Sequence, residues 1–287
     1  MIQYYDLQNR RRSESIDCFF PGWKPGGETV VFLVPHDDDA VLGPGYLMQA
    51  VQDNGGRVGV VLFCNGCAGY SKRELMNEIV EIRRREMAAC MALMDVPPDM
   101  LERLELPDFS SHLHVGWQLL NGAAGTFEIL VRRLRAWKAT RLVYANGYRE
   151  HIDHLAVETA ALYDGPQVGD PVALDLGQPS LIRSYASYCC WGRFSPLDAL
   201  ADGRDPRIRA NWAIVADQAV ENRLMRAIRA FASQGEIIQG IMETRKQRIL
   251  PGDKPRYLEY YLKTEVRPPV EHDPYKDLVQ SIDRRYA

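Results

Sequence analysis

Residues 30–51 read VVFLVPHDDDAVLGPGYLMQAV, and this stretch decides the fold. It begins as a short apolar run rich in β-branched residues, which predicts a buried strand. It ends as a periodic helix whose first turn contains Gly43, Pro44 and Gly45. Open α/β sheets bind ligands in the crevice beyond the carboxyl ends of their strands. The turn between this strand and this helix is therefore a candidate site.

That turn contains one imidazole and three carboxylates, from His36, Asp37, Asp38 and Asp39. A turn of this kind commonly binds phosphate on the N–H groups of the helix, and three aspartates would repel a phosphate. A histidine among carboxylates instead suits zinc or a similar divalent metal ion. The alternative interpretation is a simple helix cap, but a cap needs only one aspartate. We therefore favour a metal site.

A second cluster of polar residues follows the strand predicted over residues 141–147. Residues 149–162 read REHIDHLAVETAAL, with His151 and His154 three residues apart at a predicted helix start. Both imidazoles can lie on one face of that helix, and Asp153 could orient one of them. A pair of surface histidines is the alternative. The position of the pair, again after a strand and before a helix, favours the functional interpretation.

The order of predicted elements indicates the fold class and one domain. Alternating strands and helices predict an α/β, Rossmann-like fold, with a mostly parallel sheet flanked by helices. Residues 1–28 are predicted to be a lead-in with little regular structure, and residues 29–165 to form the α/β core. Residues 166–287 are a less regular C-terminal third, which we expect to complete the site. In a parallel sheet, both polar turns should lie at the same edge.

Composition excludes several classes of protein. The formal net charge of −3 gives no basic surface for nucleic acid. No apolar run approaches the roughly 20 residues that span a bilayer, and no secretory leader is visible. We therefore expect a cytoplasmic protein with no membrane partner. The six cysteines need no disulfide framework. Cys64 and Cys67 form a CxxC, which we interpret as part of a tight loop rather than a zinc or redox motif.

The two polar turns, in this order, resemble the PIG-L/LmbE-like family of de-N-acetylases. The first motif of that family is (A/P)HPDDE, and residues 35–40 read PHDDDA. The second is HPDH, and residues 151–154 read HIDH. Residues 64–69, CNGCAG, stand where the family has a TDGE-like loop. Residues 82–96, IRRREMAACMALMDV, resemble its Arg/Glu helix.

The resemblance implies a zinc-dependent N-deacetylase that acts on an N-acetylated amino sugar or its conjugate. Carried over by position, the metal ligands are His36, Asp39 and His154, and the metal is zinc or another divalent ion. Three protein ligands leave coordination positions open, as in catalytic zinc sites. The resemblance leaves homo-oligomerisation open.

The same resemblance implies roles for four further residues. Asp38 is the general base that takes a proton from the attacking water and returns it to the departing amine. His151 stabilises the oxyanion, and Asp153 fixes the tautomer of His151. Arg83, on the Arg/Glu helix, is a substrate contact.

The sequence departs from the family motifs at three positions. Asp37 and Ile152 replace prolines, which alters the loops but removes no ligand. Ala40 replaces the acidic residue that ends the first motif, so a non-catalytic relative that binds metal or sugar remains an alternative. A nucleotide-binding oxidoreductase is a further alternative. Against it, Gly43 and Gly45 are followed by no third glycine at the spacing of a dinucleotide-binding motif.

Overall fold

The computed structural model describes residues 1–148, 150–190, 210–267 and 271–286, and only the backbone of Thr244. Arg149 in the second motif region lies outside the described residues, as do residues 191–209, 268–270 and 287 of the predicted C-terminal extension.

Within the described part, the strands form one ten-stranded sheet, and helices occupy the connections between them. The strands are β1 (Ile2–Asp6), β2 (Arg11–Ser13), β3 (Thr29–Val34), β4 (Arg57–Cys64), β5 (Leu101–Leu106), β6 (Arg141–Ala145), β7 (Ser184–Tyr188), β8 (Trp212–Ala216), β9 (Ile249–Leu250) and β10 (Arg256–Thr264). The helices are α1 (Asp39–Leu42), α2 (Gly45–Asp53), α3 (Ile79–Leu93), α4 (Thr126–Ala136), α5 (Ile152–Thr159), α6 (Gln218–Ile228), α7 (Gly235–Lys246) and α8 (Asp273–Tyr286).

Half of the sheet is parallel and contains the predicted core. Its strands lie in the order β7-β6-β3-β4-β5, and every neighbouring pair is parallel. Every residue of β3 and β6 is buried, as expected for continuous apolar runs in the centre of a parallel sheet. This half of the sheet confirms the predicted α/β fold.

The other half is antiparallel, so the sheet as a whole is mixed. It continues from β7 through β10, β8 and β1 to β2.

The prediction that residues 1–28 have little regular structure was wrong, because β1 and β2 lie within them. In β1, Ile2 pairs with Ala216. A pairing between residues so far apart in the chain leaves no local pattern by which the sequence would reveal it.

The helix predicted after the acidic turn is interrupted. It forms as the single turn α1 and then as α2, with Gly43 and Pro44 between them. Pro44 has no N–H to donate, and a side chain at Gly43 would place its Cβ 2.1 Å from Tyr188 Cδ2 of β7. The interruption keeps the acidic residues in a compact turn against the strand end. Within the described part, no helix is both long and apolar enough to span a membrane.

Candidate metal centre

The two polar turns meet at one edge of the sheet. The strands that precede them, β3 and β6, are parallel neighbours with Val30 opposite Arg141. Their carboxyl ends therefore lie side by side, and each turn leads directly into a helix. The predicted meeting of the two clusters follows from this register.

The three predicted ligands converge on one point. Oδ2 of Asp39 lies 2.9 Å from Nδ1 of His36 and 3.2 Å from Nε2 of His154. All three ligand atoms lie within 4.8 Å of one another. Ligand atoms bound tetrahedrally at about 2.0–2.2 Å from a zinc ion lie roughly 3.4 Å apart. The spacing of these atoms therefore fits one small divalent cation.

His154 provides an independent test of that fit. Its side chain is almost completely buried, yet neither ring nitrogen makes a hydrogen bond within the described residues. Its Nδ1 instead faces Oε2 of Glu150 at 2.9 Å, and its Nε2 faces Asp39. A buried imidazole between two carboxylates is the usual environment of a metal-ligating histidine. The donor set therefore fits a metal ion.

The electrostatics of this group also favour a cation. Burial lowers the pKa of His36, but the carboxylates of Asp153 and Asp39 outweigh it and raise that pKa well above its ordinary value. Burial likewise opposes charge on His154, whose pKa Asp39 nevertheless raises to about 9. The pKa of Asp39 lies well below its usual range despite its burial, because it faces the two imidazoles. The field that holds protons on these rings would equally attract a metal ion.

Asp153 lies beside this group and is firmly held. Its Oδ2 accepts the N–H of Phe109 at 2.7 Å, and its Oδ1 accepts the N–H of Ser111 at 3.1 Å. Oδ2 also lies 3.3 Å from Nε2 of His36 and 3.3 Å from Nδ1 of His151. His36, His151 and Asp153 form a second group with metal-compatible spacing. Asp153 therefore contacts both histidines, and its predicted effect on the tautomer of His151 remains a prediction.

His151 caps the helix that supplies His154. It has extended backbone angles, and its Nδ1 accepts the N–H of Asp153 at 3.2 Å. Its ring lies 4.4 Å, centre to centre, from the ring of Phe109. This capping explains why one short sequence, HIDH, can direct two imidazoles toward the same edge of the sheet.

Arg83 is buried and points toward the acidic turn rather than into solvent. Its Nη2 lies 3.1 Å from Oδ1 of Asp38 and 3.4 Å from Oδ1 of Asp37. Arg103 of β5 approaches the other oxygen of Asp37 at 3.6 Å. Arg83 also lines the cleft described below. The predicted substrate contact therefore pairs with the predicted base.

The loop of residues 64–69 packs directly on Arg83. Gly66 has φ of +79°, and a Cβ at this position would lie 2.4 Å from Cδ of Arg83. Asp108 fixes the loop by accepting the N–H groups of Gly66 and Ala68, each at 2.9 Å. Cys64 and the other five cysteines are free thiols. Among the described residues no cysteine belongs to a metal-compatible group.

A cleft of about 260 Å³ opens at this edge of the sheet. Its polar side is formed by His36, Asp38, Asp39, Arg83, Asp108, His151 and His154. Its other side is more apolar and includes Ala68, Phe109, Ile237 and Ile241, together with Gln234. The last three residues of that side follow β8 in the chain, so the predicted C-terminal third does contribute to the wall of the cleft.

Sequence reasoning missed two groups that hold the site together. Glu150 faces His154 from four residues earlier, and this i,i+4 spacing at a predicted helix start was a usable signal. Phe109 and Ser111, which hold Asp153, lie in a loop without periodicity and gave no signal. Phe109 has φ of +62°, which is unusual for a side chain of its size. Strained backbone of this kind is concentrated at functional sites.

Comparison with known proteins finds one matching family. Residues 31–163 match the PIG-L family, described as GlcNAc-PI de-N-acetylase. The match begins in β3 and extends beyond α5, so it includes both polar turns. Most of the predicted α/β core, residues 29–165, lies within this match. No curated protein matches this chain.

Solved structures share the fold of this protein at low sequence identity. N,N'-diacetylchitobiose deacetylase from Pyrococcus horikoshii aligns with a TM-score of 0.62 at 21% identity, over 83% of this chain and 84% of its own. A deacetylase of teicoplanin biosynthesis aligns with a TM-score of 0.54 at 16% identity, over 83% and 99%. The 4-carboxy-2-hydroxymuconate hydratase of Pseudomonas putida aligns with a TM-score of 0.60 at 14% identity, over 85% and 99%. These likenesses establish the fold.

Proposed function

We propose that this protein is a divalent-metal-dependent deacetylase that hydrolyses the N-acetyl group of an N-acetylated amino sugar or its conjugate. The observation that carries the proposal is the convergence of His36, Asp39 and His154, all within the region that matches the PIG-L family, at the wall of a cleft. Deacetylases of a chitobiose derivative and of teicoplanin biosynthesis share the fold.

His36, Asp39 and His154 would hold the metal, for which zinc is the first candidate. Two imidazoles and one carboxylate, with coordination positions left open, are the donor set of many hydrolytic zinc enzymes. When bound, such an ion polarises the acetamide carbonyl and lowers the pKa of water. Glu150 keeps the ring of His154 in place through its contact with Nδ1.

Asp38 is the general base of the proposed reaction. Its side chain lines the cleft, and one carboxylate oxygen is engaged by Arg83. The other oxygen takes a proton from the attacking water and later returns it to the nitrogen of the departing amine. Because Arg83 fixes the plane of the carboxylate, that oxygen has a defined direction.

His151 is the proposed donor to the oxyanion. Its ring forms part of the cleft wall between His36 and Phe109, with ring centres 4.8 Å and 4.4 Å away. A donor held next to the reacting carbonyl stabilises the charge that develops on its oxygen. Asp153 holds His151 through its backbone N–H, which donates to Nδ1 and leaves Nε2 as the nitrogen that carries the proton.

The cleft fits a small substrate with one apolar side. Its volume of about 260 Å³ is near the lower end for ligand pockets and suits a sugar-sized molecule. Phe109, Ile237 and Ile241 form a wall that can contact the face of a sugar ring or an apolar substituent on it. The net charge of −3 gives no electrostatic reason for nucleic acid to bind.

The experiment combines metal analysis with an acetate-release screen over N-acetylated sugars and their glycosides. We expect one metal per chain, acetate release that chelation abolishes and metal restores, and loss of both in His154→Ala. Since a hydratase shares the fold, the assay must detect acetate itself. Bound metal without acetate release would support the non-catalytic alternative that Ala40 raises. Cofactor absorbance with no bound metal would support a nucleotide-binding protein.

A further inference from the structure

Helix α8 presents an apolar face that nothing in the described part of the chain covers. Its 14 residues include no buried residue. The large apolar side chains fall on one face and are mostly solvent-exposed: Tyr275 (71%), Leu278 (58%), Val279 (57%), Ile282 (43%) and Tyr286 (88%). At 100° per residue, these positions span a stripe about 100° wide. A stripe of this width is typical of a helix that packs on a partner.

The helix needs such a partner to be stable. An isolated helix shorter than about 12–15 residues is marginal in water even with good helix formers. Its one intrahelical side-chain ion pair, between Lys276 and Asp273, is exposed and adds little. Burial of the apolar stripe is therefore the main source of stabilisation available to α8.

The charges beside the stripe are self-complementary. On a helical projection, Asp283 and Lys276 both lie on one flank of the stripe, two turns apart along the helix. In an antiparallel pair of identical helices, like flanks face each other. A twofold axis near the middle of α8 then places Lys276 of each copy beside Asp283 of the other. The antiparallel arrangement also opposes the two helix dipoles favourably.

We infer that α8 is a self-association element, which pairs antiparallel with α8 of a second copy of this chain through its apolar stripe. A membrane surface is the weaker candidate for that stripe. Three carboxylates of the helix (Asp273, Asp277 and Asp283) balance its three cations (Lys276, Arg284 and Arg285). A helix without net positive charge gains no attraction to anionic lipid.

The proposed contact is small. Fourteen residues of helix are about 21 Å long, and one helix pair buries less than the roughly 1,200 Å² of a standard interface. The dimer should therefore dissociate on dilution, with a dissociation constant on the order of micromolar.

The first test is sedimentation velocity of the full chain over a dilution series. We expect a concentration-dependent dimer, and a shift of its dissociation constant by about a hundredfold or more in Leu278→Asp, which buries a charge within the stripe near the middle of the helix. The matched control is Gln280→Asp, which adds the same charge on the opposite face and should leave the dimer unchanged. Acetate release or bound metal serves to verify that each variant is folded.

The second test uses charge reversal. Lys276→Glu places two glutamates against two aspartates, and Asp283→Lys places two lysines against two lysines. Each single variant should therefore weaken its own dimer by about tenfold, since exposed pairs contribute modestly. An equimolar mixture of the two variants should recover most of the affinity, because both contacts become attractive in the mixed pair. Such recovery requires that residues 276 and 283 of different copies contact each other across the interface.

Four outcomes would overturn the inference. The chain could stay monomeric at every concentration, or dimerise equally well in Leu278→Asp. The mixture of charge-reversed variants could also bind no better than each variant alone. Sedimentation of wild-type chain with neutral or anionic vesicles, lost in Leu278→Asp, would assign the stripe to lipid instead.

Discussion

Nη2 of Arg83 donates a hydrogen bond to Oδ1 of Asp38 at 3.1 Å, in the buried interior of the acidic turn. The arginine that sequence resemblance implies as a substrate contact is thus paired with the residue proposed as general base. A pairing of this kind orients the carboxylate and neutralises part of the charge of three adjacent aspartates. It makes Arg83 a positioning residue in the proposed mechanism.

Arg83→Met should lower kcat by about tenfold to a hundredfold while the metal remains bound, because Asp38 loses its orientation. The fold should also lose stability, since Asp37 and Asp38 remain as buried carboxylates without their main cation. The measurements are acetate release, metal content and melting temperature. Arg84→Met is the control, as Arg84 is the next residue on the same helix but is exposed. An increase in KM with kcat unchanged would instead make Arg83 a substrate contact.

Asp38 and Asp39 are adjacent in sequence, but substitutions at the two positions should have different effects. Asp39→Ala should lose the metal, because Oδ2 of Asp39 contacts both imidazoles of the proposed ligand set. Asp38→Asn should keep metal and fold but lose the base, which typically lowers the rate by about 10²–10⁴-fold. Metal stoichiometry, melting temperature and acetate release separate the two. A metal-free Asp38→Asn beside a metal-loaded Asp39→Ala would reverse the assignment.

Gly66→Ala should disturb Arg83, whereas Gly122→Ala should not. Both glycines have φ near +80°, so each substitution costs about 1–2 kcal/mol of backbone strain. Only at Gly66 would the new Cβ meet Arg83, at 2.4 Å from Cδ, while Gly122 has open space. We expect an additional loss of stability and a lower kcat for Gly66→Ala alone. Equal losses in the two variants would show that the loop does not position Arg83.

The buried carboxyl group of Glu259 should make stability depend on pH. Burial raises its pKa from 4.5 to about 7, although the N–H groups of Tyr46 and Leu47 and the hydroxyl of Tyr261 donate to it. Between these two values the folded chain keeps a proton that the unfolded chain has lost. Stability therefore falls as pH rises from 4.5 to about 7, by on the order of 3 kcal/mol.

The measurement is the free energy of unfolding by urea across this pH range, for wild type and Glu259→Gln. The glutamine keeps most of the shape but cannot ionise, so its stability should lack this part of the pH dependence. The difference between the two curves should change between pH 4.5 and about 7 and be flat outside it. Parallel curves would mean that Glu259 keeps an ordinary pKa in the folded chain.

Local sequence determined the parallel core and both polar turns. An apolar β-branched run followed by HDDD, and a second strand followed by HIDH, are patterns within a few residues. Parallel strands share an edge at their carboxyl ends, so the meeting of His36, Asp39 and His154 followed from topology alone. Residue type and spacing also predicted the loop that follows Cys64, the last residue of β4, since a glycine such as Gly66 suits a tight loop.

Only the tertiary structure decided how the site is supported. Arg83 lies on a charged helix on which any of several arginines could turn inward. Arg83 is the one that packs against Gly66 and turns toward the site. Phe109 and Ser111 hold Asp153 from an aperiodic loop, and Ile237 reaches the cleft from the C-terminal third. Strand β1 pairs with a strand some two hundred residues later. These contacts depend on elements distant in the chain, and local periodicity carries no information about which distant elements will pack together.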